Sequence, residues 1–329
     1  MVTVDGKLCE RLRTVKEAVS EHLLQDPNVI GLGVGFAVRG GKLTLEPALR
    51  VYVRAKFPKE LLPKEALFSR NRFDDLPVDV IEGSYRPAST MRYGGQQQSI
   101  PDPPESRTMW RPVLVGGISV GNSRLPCGGT LGAVFVAKTD DQPVVLTSWH
   151  VLLAGQGAPR DPVCQPAAVY HRSDNDTFIG FVDHGVIDER MDAAIARLEG
   201  TRRFTTGRVL SIGMLAGTAE PRLGMEVQKS GAGSGRTQGM IDDASFTYRV
   251  QYPGFQQLFK NQLHLISRTG RPMSCAGDSG SVLVEADTRR AVGLLYAEEA
   301  AMSSCDFAVA SPIIPVLQEL NIALPDRQA

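Results

Sequence analysis

Ser274-Cys275-Ala276-Gly277-Asp278-Ser279-Gly280-Ser281 is the stretch on which the reading of this chain turns. Glycines at 277 and 280 let the backbone fold tightly, with no side chain blocking the approach to the Ser279 hydroxyl. In such a turn the N–H groups of Gly277 and Ser279 converge on one point, where they would receive a developing oxyanion. Taken alone, Gly-Asp-Ser-Gly is equally an ordinary turn. The apolar runs after it, Ser281–Val284 and Ala291–Tyr296, read as strands.

Two earlier segments supply what such a serine needs. In Leu146-Thr147-Ser148-Trp149-His150-Val151-Leu152 an apolar strand runs into a polar break with His150 at its exit. Of the five histidines (His22, His150, His171, His184 and His264), only His150 has an apolar strand before it and a helix-like turn after it. In Arg190-Met191-Asp192-Ala193-Ala194-Ile195-Ala196-Arg197-Leu198 an acid opens an apolar strand, where it can sit under an imidazole while the chain continues into the core. Separately, these are a structural histidine and a solvated turn aspartate. Together they match the needs of acyl transfer, which are a nucleophile (Ser279), a base (His150), an orienting acid (Asp192) and oxyanion donors.

The rest of the 329 residues frames that constellation. Lys plus Arg equals Asp plus Glu at 36 each, so charge gives no reason to expect nucleic acid or an anionic membrane as partner. No run approaches the ~18 apolar residues of a membrane span, and the charged amphipathic N-terminus is not a signal core, so the expected location is cytoplasmic. Leu8, Leu12, Val15, Val19 and Leu23 form one helical stripe. Val29–Val38 and Leu49–Val53 read as strands about a Gly40-Gly41 turn, Lys59–Phe68 as a short helix and Val78–Ile81 as a strand. Residues 1–84 are therefore expected to form a small α/β domain. Residues 85–112, with Gln96-Gln97-Gln98 and with Pro101, Pro103 and Pro104, read as a linker or extended wrap. From residue 113 to 329 short apolar runs alternate with turns, the pattern of β-barrels, until a helix at Ile313–Leu320.

Several of these segments resemble the trypsin/chymotrypsin superfamily. Cys127-Gly128-Gly129-Thr130-Leu131 is similar to that family's Cys-Gly-Gly-Ser-Leu strand, and Thr147-Ser148-Trp149-His150 to its Thr-Ala-Ala-His motif. Met191-Asp192-Ala193-Ala194-Ile195 resembles its Asn-Asp-Ile-Ala-Leu segment, and Ser274–Gly280 its nucleophile loop. The resemblance covers about residues 113–325. It implies a mainly β, trypsin-like double β-barrel preceded by the small α/β domain, and a serine endopeptidase acting on protein or peptide without metal or organic cofactor. It implies a catalytic triad of His150, Asp192 and Ser279, an oxyanion hole from Gly277 and Ser279, and substrate pairing along Leu294–Ala297 (Leu295, Tyr296, Ala297). Met273 would form an apolar pocket base and Asp306 a pocket wall. Gly116–Gly121, Gly129–Ala133 and the span from Gly231 to Gly239 further resemble bacterial proteases related to the plant Narrow Leaf proteins.

The departures are as informative. Val151 stands where secreted relatives carry a cysteine bridged to the Cys127 position, so the five cysteines are expected as thiols in a reducing compartment. Cys275 and Cys305 correspond loosely to a pair across the pocket. Leu114-Val115-Gly116-Gly117 resembles the segment whose new amine, after cleavage, pairs with the aspartate before the nucleophile, here Asp278. It lies close to Cys127 and reads better as a first barrel strand, with another cation or donor meeting Asp278. Gly31-Leu32-Gly33-Val34-Gly35 lacks nucleotide-loop spacing and reads as a glycine-rich strand. A regulated protease, silent until a partner or a cut acts on it, and a protease-fold binding module stay open as rivals. For the N-terminal domain, substrate delivery, homo-oligomer or regulatory contact, and masking of the cleft stay open too.

Overall fold

The computed structural model describes residues 5–39, 42–58, 72–73, 75–83, 85–88, 105–170, 176–299 and 307–324. It is mainly β, with two barrel-like sheets that meet at the candidate site. The expected helix at Lys59–Phe68 and the Gly40-Gly41 turn lie outside the described residues.

The first sheet runs Gly213–Met214, Arg203–Val209, Ala133–Ala137, Pro143–Thr147, Asp192–Leu198, Phe178–Ile187, Pro162–Cys164, Ile118–Asn122, Gly129–Leu131. Val113–Gly116 joins it in parallel beside Arg203–Val209, so the Leu114-Val115-Gly116-Gly117 segment enters a strand. Val120, Leu131, Val134, Val145, Ile179 and Ala196 fill its interior. The C-terminal helix Ile313–Glu319 packs on the other face, where Ile313 and Val316 meet Phe135, Leu146, Ile195 and Leu294.

The second sheet contains Glu226–Gly231, Val282–Glu285, Ala291–Glu299, Phe307–Pro312 and a long hairpin, Gly235–Tyr252 with Phe255–Ser267. The sequence pattern does not announce this hairpin. Its alternation is broken by register shifts around Asp243 and Phe246, and by two adjacent acids, Asp242 and Asp243, buried in mid-strand. Asp243 accepts from the Ser245 N–H and Asp242 meets His264 on the return strand, but the cation that Asp242 pairs with lies far away in sequence.

That cation, Arg50, comes from the N-terminal region. Asp5 caps the helix Gly6–Leu23 by accepting from the Lys7 and Leu8 N–H groups. The helix lays Leu8, Leu12, Val15, Val19 and Leu23 on the strands Val29–Arg39 and Lys42–Val53. Leu76–Glu82 adds to Lys42–Val53 in parallel. Val29–Arg39 then pairs antiparallel with Gly235–Tyr252, so the N-terminal strands continue the second sheet. The glycine-rich stretch makes that approach feasible: a Cβ at Gly33 would lie 1.7 Å from Asp243 Oδ2, and one at Gly35 2.2 Å from the Asp242 carbonyl oxygen. Arg50, fully buried, reaches across to Asp242 at 2.7 Å. Ile30, Tyr52, Tyr85, Phe246, Tyr248, Phe259 and Tyr296 form one aromatic-rich cluster at the junction. No helix among the described residues is long and apolar enough to cross a membrane.

Candidate active site

Strand pairing sets the base beside the acid. Pro143–Thr147 lies antiparallel to Asp192–Leu198, with Thr147 opposite Ala194, and the single helical turn Trp149–Leu152 comes at once after it. His150 thus stands over the start of the strand that Asp192 opens. His150 Nδ1 is 2.6 Å from Asp192 Oδ2, and the His150 backbone N–H donates to Asp192 Oδ1 at 3.2 Å. On the other side of the ring, His150 Nε2 is 2.8 Å from Ser279 Oγ. A carboxylate on Nδ1 favours the tautomer with Nδ1 protonated and Nε2 free to accept the serine proton. Asp192 Oδ2 also accepts from the Tyr252 hydroxyl at 2.5 Å. Tyr252 closes the strand Gly235–Tyr252 and stacks on Phe255.

The nucleophile turn is fixed on every side. Gly277 and Gly280 have φ of +99° and +93°. A Cβ at Gly280 would also sit 2.2 Å from Thr147 Oγ1. The Ser279 carbonyl accepts from the Thr130 N–H at 2.7 Å, and the Gly280 N–H donates to the Leu295 carbonyl at 2.7 Å. Asp278 points the other way, into a buried pair with Lys229 (Nζ to Oδ2, 2.5 Å). Its carboxylate also accepts from the N–H groups of Cys275, Gly233 and Ser234 and from the Ser234 hydroxyl. An internal lysine therefore stands where the family resemblance would place the amine released by cleavage.

The cleft between the sheets is filled by the chain itself. Tyr85–Pro87 lies antiparallel on Ala291–Glu299, with Pro87 opposite Ala297, Arg86 opposite Glu298 and Tyr85 opposite Glu299. The Ala88 N–H donates to the Tyr296 carbonyl at 3.0 Å. The Ala88 carbonyl oxygen accepts from both the Gly277 N–H (2.9 Å) and the Ser279 N–H (3.1 Å). The side chains anchor the segment. Arg86 pairs with buried Glu298 at 3.2 Å. Tyr85 Oη lies 2.9 Å from His264 Nε2, and His264 Nδ1 is 2.6 Å from Asp242, the partner of Arg50. Burial first, and Asp278 after it, push the Glu298 carboxyl up to about 7, with Arg86 opposing. With this segment in place His150 is 1% exposed and Ser279 0%.

Of the expected pocket residues, Met273 and Leu295 share one buried apolar cluster with the Ala88 methyl, together with Val227, Ile241 and Leu265. Tyr296 contributes its carbonyl and Ala297 its backbone, and pairing runs on to Glu299, past the expected end at Ala297. Asp306 and Cys305 lie outside the described residues. Cys9, Cys127, Cys164 and Cys275 are free thiols. Tyr252, Lys229, Glu298 and the docked segment 85–88 are site features that the sequence alone does not reveal. Lys229 carries no local signal, because its strand Glu226–Gly231 already alternates polar Glu226, Gln228 and Ser230 with other residues. Among the described residues no group of three or more His, Cys, Asp or Glu side chains is gathered as metal ligands would be.

No family model matches this chain, and no curated protein does. Solved structures that overlay on it include the Nocardiopsis protease NAPase, at 20% identity over 64% of this chain and 98% of that one, with a TM-score of 0.47. Thermobifida fusca protease A overlays at 18% identity, covering 64% and 98%, TM-score 0.47. An alpha-lytic protease homologue, N4, overlays at 18%, covering 65% and 100%, TM-score 0.47.

Proposed function

We propose that this chain is a serine endopeptidase, with residues 113–329 as the protease unit, residues 1–84 as an accessory unit and 85–112 connecting them. The observation that carries this reading is the relay Asp192–His150–Ser279 facing a peptide carbonyl whose oxygen accepts from two backbone N–H groups. In this arrangement His150 Nε2 takes the Ser279 proton as Oγ attacks a carbonyl carbon. Gly277 and Ser279 receive the oxyanion, and Asp192 stabilises the imidazolium and holds its orientation. Tyr252 holds Asp192 in turn and is a positioning residue. His150 then gives its proton to the leaving amine, and water releases the acyl group by the same steps in reverse roles. The substrate would add as a strand to Ala291–Glu299, as residues 85–88 do.

The filled cleft favours a regulated form of this reading over a constitutive one, because an outside peptide must displace residues 85–88. The Narrow Leaf resemblance and a cytoplasmic setting, which four free thiols fit, stay part of the proposal. Replacing Ala88 by Glu would force a carboxylate among Met273, Ile241 and Leu265, and so expel the carbonyl from the two N–H donors. The Ala88→Glu chain is expected to hydrolyse a Tyr-Arg-Pro-Ala-Ser peptide after alanine, and Ala88→Glu/Ser279→Ala to leave it whole. Equal hydrolysis by both would refute the role of Ser279.

A further inference from the structure

Residues 85–88 do more than cover the site; they lie in it as a substrate's acyl side would. Four features coincide on Ala88. Its N–H meets the Tyr296 carbonyl, and its carbonyl oxygen sits on both the Gly277 and Ser279 N–H groups. Its methyl enters the apolar cluster of Met273 and Leu295. The preceding residues pair in antiparallel register with the cleft strand. A carbonyl oxygen held by both donors brings its own carbon to the nucleophile, since the C=O bond is only about 1.2 Å long. Ser279 Oγ, at the same turn, already faces His150 Nε2 at 2.8 Å. The peptide bond on the far side of this carbonyl is Ala88–Ser89.

We infer that the chain cuts its own Ala88–Ser89 bond, an inference that rests on the serine-protease reading above. Ser279 Oγ adds to the Ala88 carbonyl carbon as its proton passes to His150 Nε2. The carbon–nitrogen bond then breaks, and the proton moves from His150 to the Ser89 nitrogen, which leaves as an amine. Ala88 is left as an ester on Oγ. Water adds to that ester, giving a proton to His150, which returns it to Oγ. The products are a chain ending in the Ala88 carboxylate and a chain beginning with the Ser89 amine.

The same contacts hold the products of the cut. The N-terminal piece keeps its backbone pairing to Gly235–Tyr252, the Arg50–Asp242 pair, and the contacts of Tyr85 and Arg86. The two pieces therefore stay together. The cleft opens when the N-terminal piece leaves or its last residues lift, and the covalent link no longer returns them.

The test is intact-mass analysis, under denaturing conditions, of the purified full chain as wild type, Ser279→Ala and Ala88→Glu. The wild type is expected to give two masses that break between Ala88 and Ser89, from a sample that elutes as one species in native buffer. Ser279→Ala, a near-isosteric change at the nucleophile, and Ala88→Glu are each expected to remain whole. Incubation with wild type is expected to leave the Ser279→Ala chain whole, because Ala88 of that chain is buried in its own cleft. A wild type that stays whole while Ala88→Glu hydrolyses the test peptide would overturn self-cleavage and leave the protease reading standing. A wild type that stays whole with an inert Ala88→Glu chain would overturn both. A break at another bond, or cutting of Ser279→Ala by wild type at this one, would overturn the intramolecular register.

Discussion

Replacing Lys229 by Met tests whether the nucleophile turn is held from behind by a buried charge. Lys229 Nζ and Asp278 Oδ2 are 2.5 Å apart and both side chains are 0% exposed. Removing one partner of such a pair leaves a buried charge, at a cost of about 3–5 kcal/mol. Four donors other than Lys229 still reach the Asp278 carboxylate, from Cys275, Gly233 and both groups of Ser234. They hold the cost to the lower end, about 3 kcal/mol. A domain stable by roughly 5–15 kcal/mol survives that loss, so the variant folds. The assay is urea unfolding in the Ser279→Ala background, which keeps the chain whole, for Lys229→Met, Asp278→Asn and the double variant. Asp278→Asn removes the stranded charge, so the double variant is expected to recover at least about 1 kcal/mol relative to additivity. Function responds as well. The Cys275 N–H and the Gly233–Ser234 backbone hang on this carboxylate, and slack there loosens the Gly277 and Ser279 donors. Losing one such donor costs about a hundredfold or more in rate. A loss of less than about 1 kcal/mol with no coupling, the value of an exposed pair, would show that the buried charge does not hold the turn.

Three further outcomes rest on the same contacts. Tyr252→Phe removes one charge-assisted hydrogen bond to Asp192, worth about 1.5–3 kcal/mol, and is expected to lower kcat tenfold or more with KM unchanged. A change confined to KM would contradict a positioning role. Arg50→Leu leaves Asp242 with His264 as its remaining partner and, in the Ser279→Ala background, is expected to cost about 3 kcal/mol in urea unfolding; an unchanged midpoint would contradict the joined sheet. Glu298, with its carboxyl at about 7 against an ordinary 4.5, binds more protons folded than unfolded between those values. Its contribution to stability is thus present below the lower value and lost as pH rises through the upper, by about 3 kcal/mol. In the Ser279→Ala background, the chain with Glu298 is expected to lose that much more stability than the one with Glu298→Gln between about pH 4.5 and 8 in urea titrations, and parallel profiles would refute it.

How far the sequence speaks depends on whether a feature is local. His150, Asp192 and Ser279 are legible as candidates because each sits in a short motif at a strand end, and adjacent strands suffice to bring base and acid together. The helix stripe from Leu8 to Leu23 is legible by periodicity, and Ala291–Tyr296 as an apolar run, which the structure extends to Glu299. The long hairpin is not, because Asp242 and Asp243 interrupt its apolar pattern, and the cation that meets Asp242, Arg50, is distant in the chain. Tyr252 and Lys229 act through contacts with Asp192 and Asp278 that no spacing announces. The docking of Tyr85–Ala88 is invisible for another reason: Tyr-Arg-Pro-Ala has no strand pattern of its own, and becomes a strand only by pairing with the cleft edge. The separate N-terminal unit expected from residues 1–84 likewise could not reveal that its first strand would extend the second sheet.

The proposed function requires Ser279 to be an activated nucleophile beside a working oxyanion hole. Reaction of the Ala88→Glu chain with a fluorophosphonate, with peptide mass mapping of the adduct, asks for both at once. A single phosphonyl adduct on Ser279 is expected, lost in Ala88→Glu/His150→Ala and slower to form in the Ser279-intact chain whose cleft still holds Ala88. A folded Ala88→Glu chain that forms no adduct, or forms it equally well without His150, would contradict the proposed function.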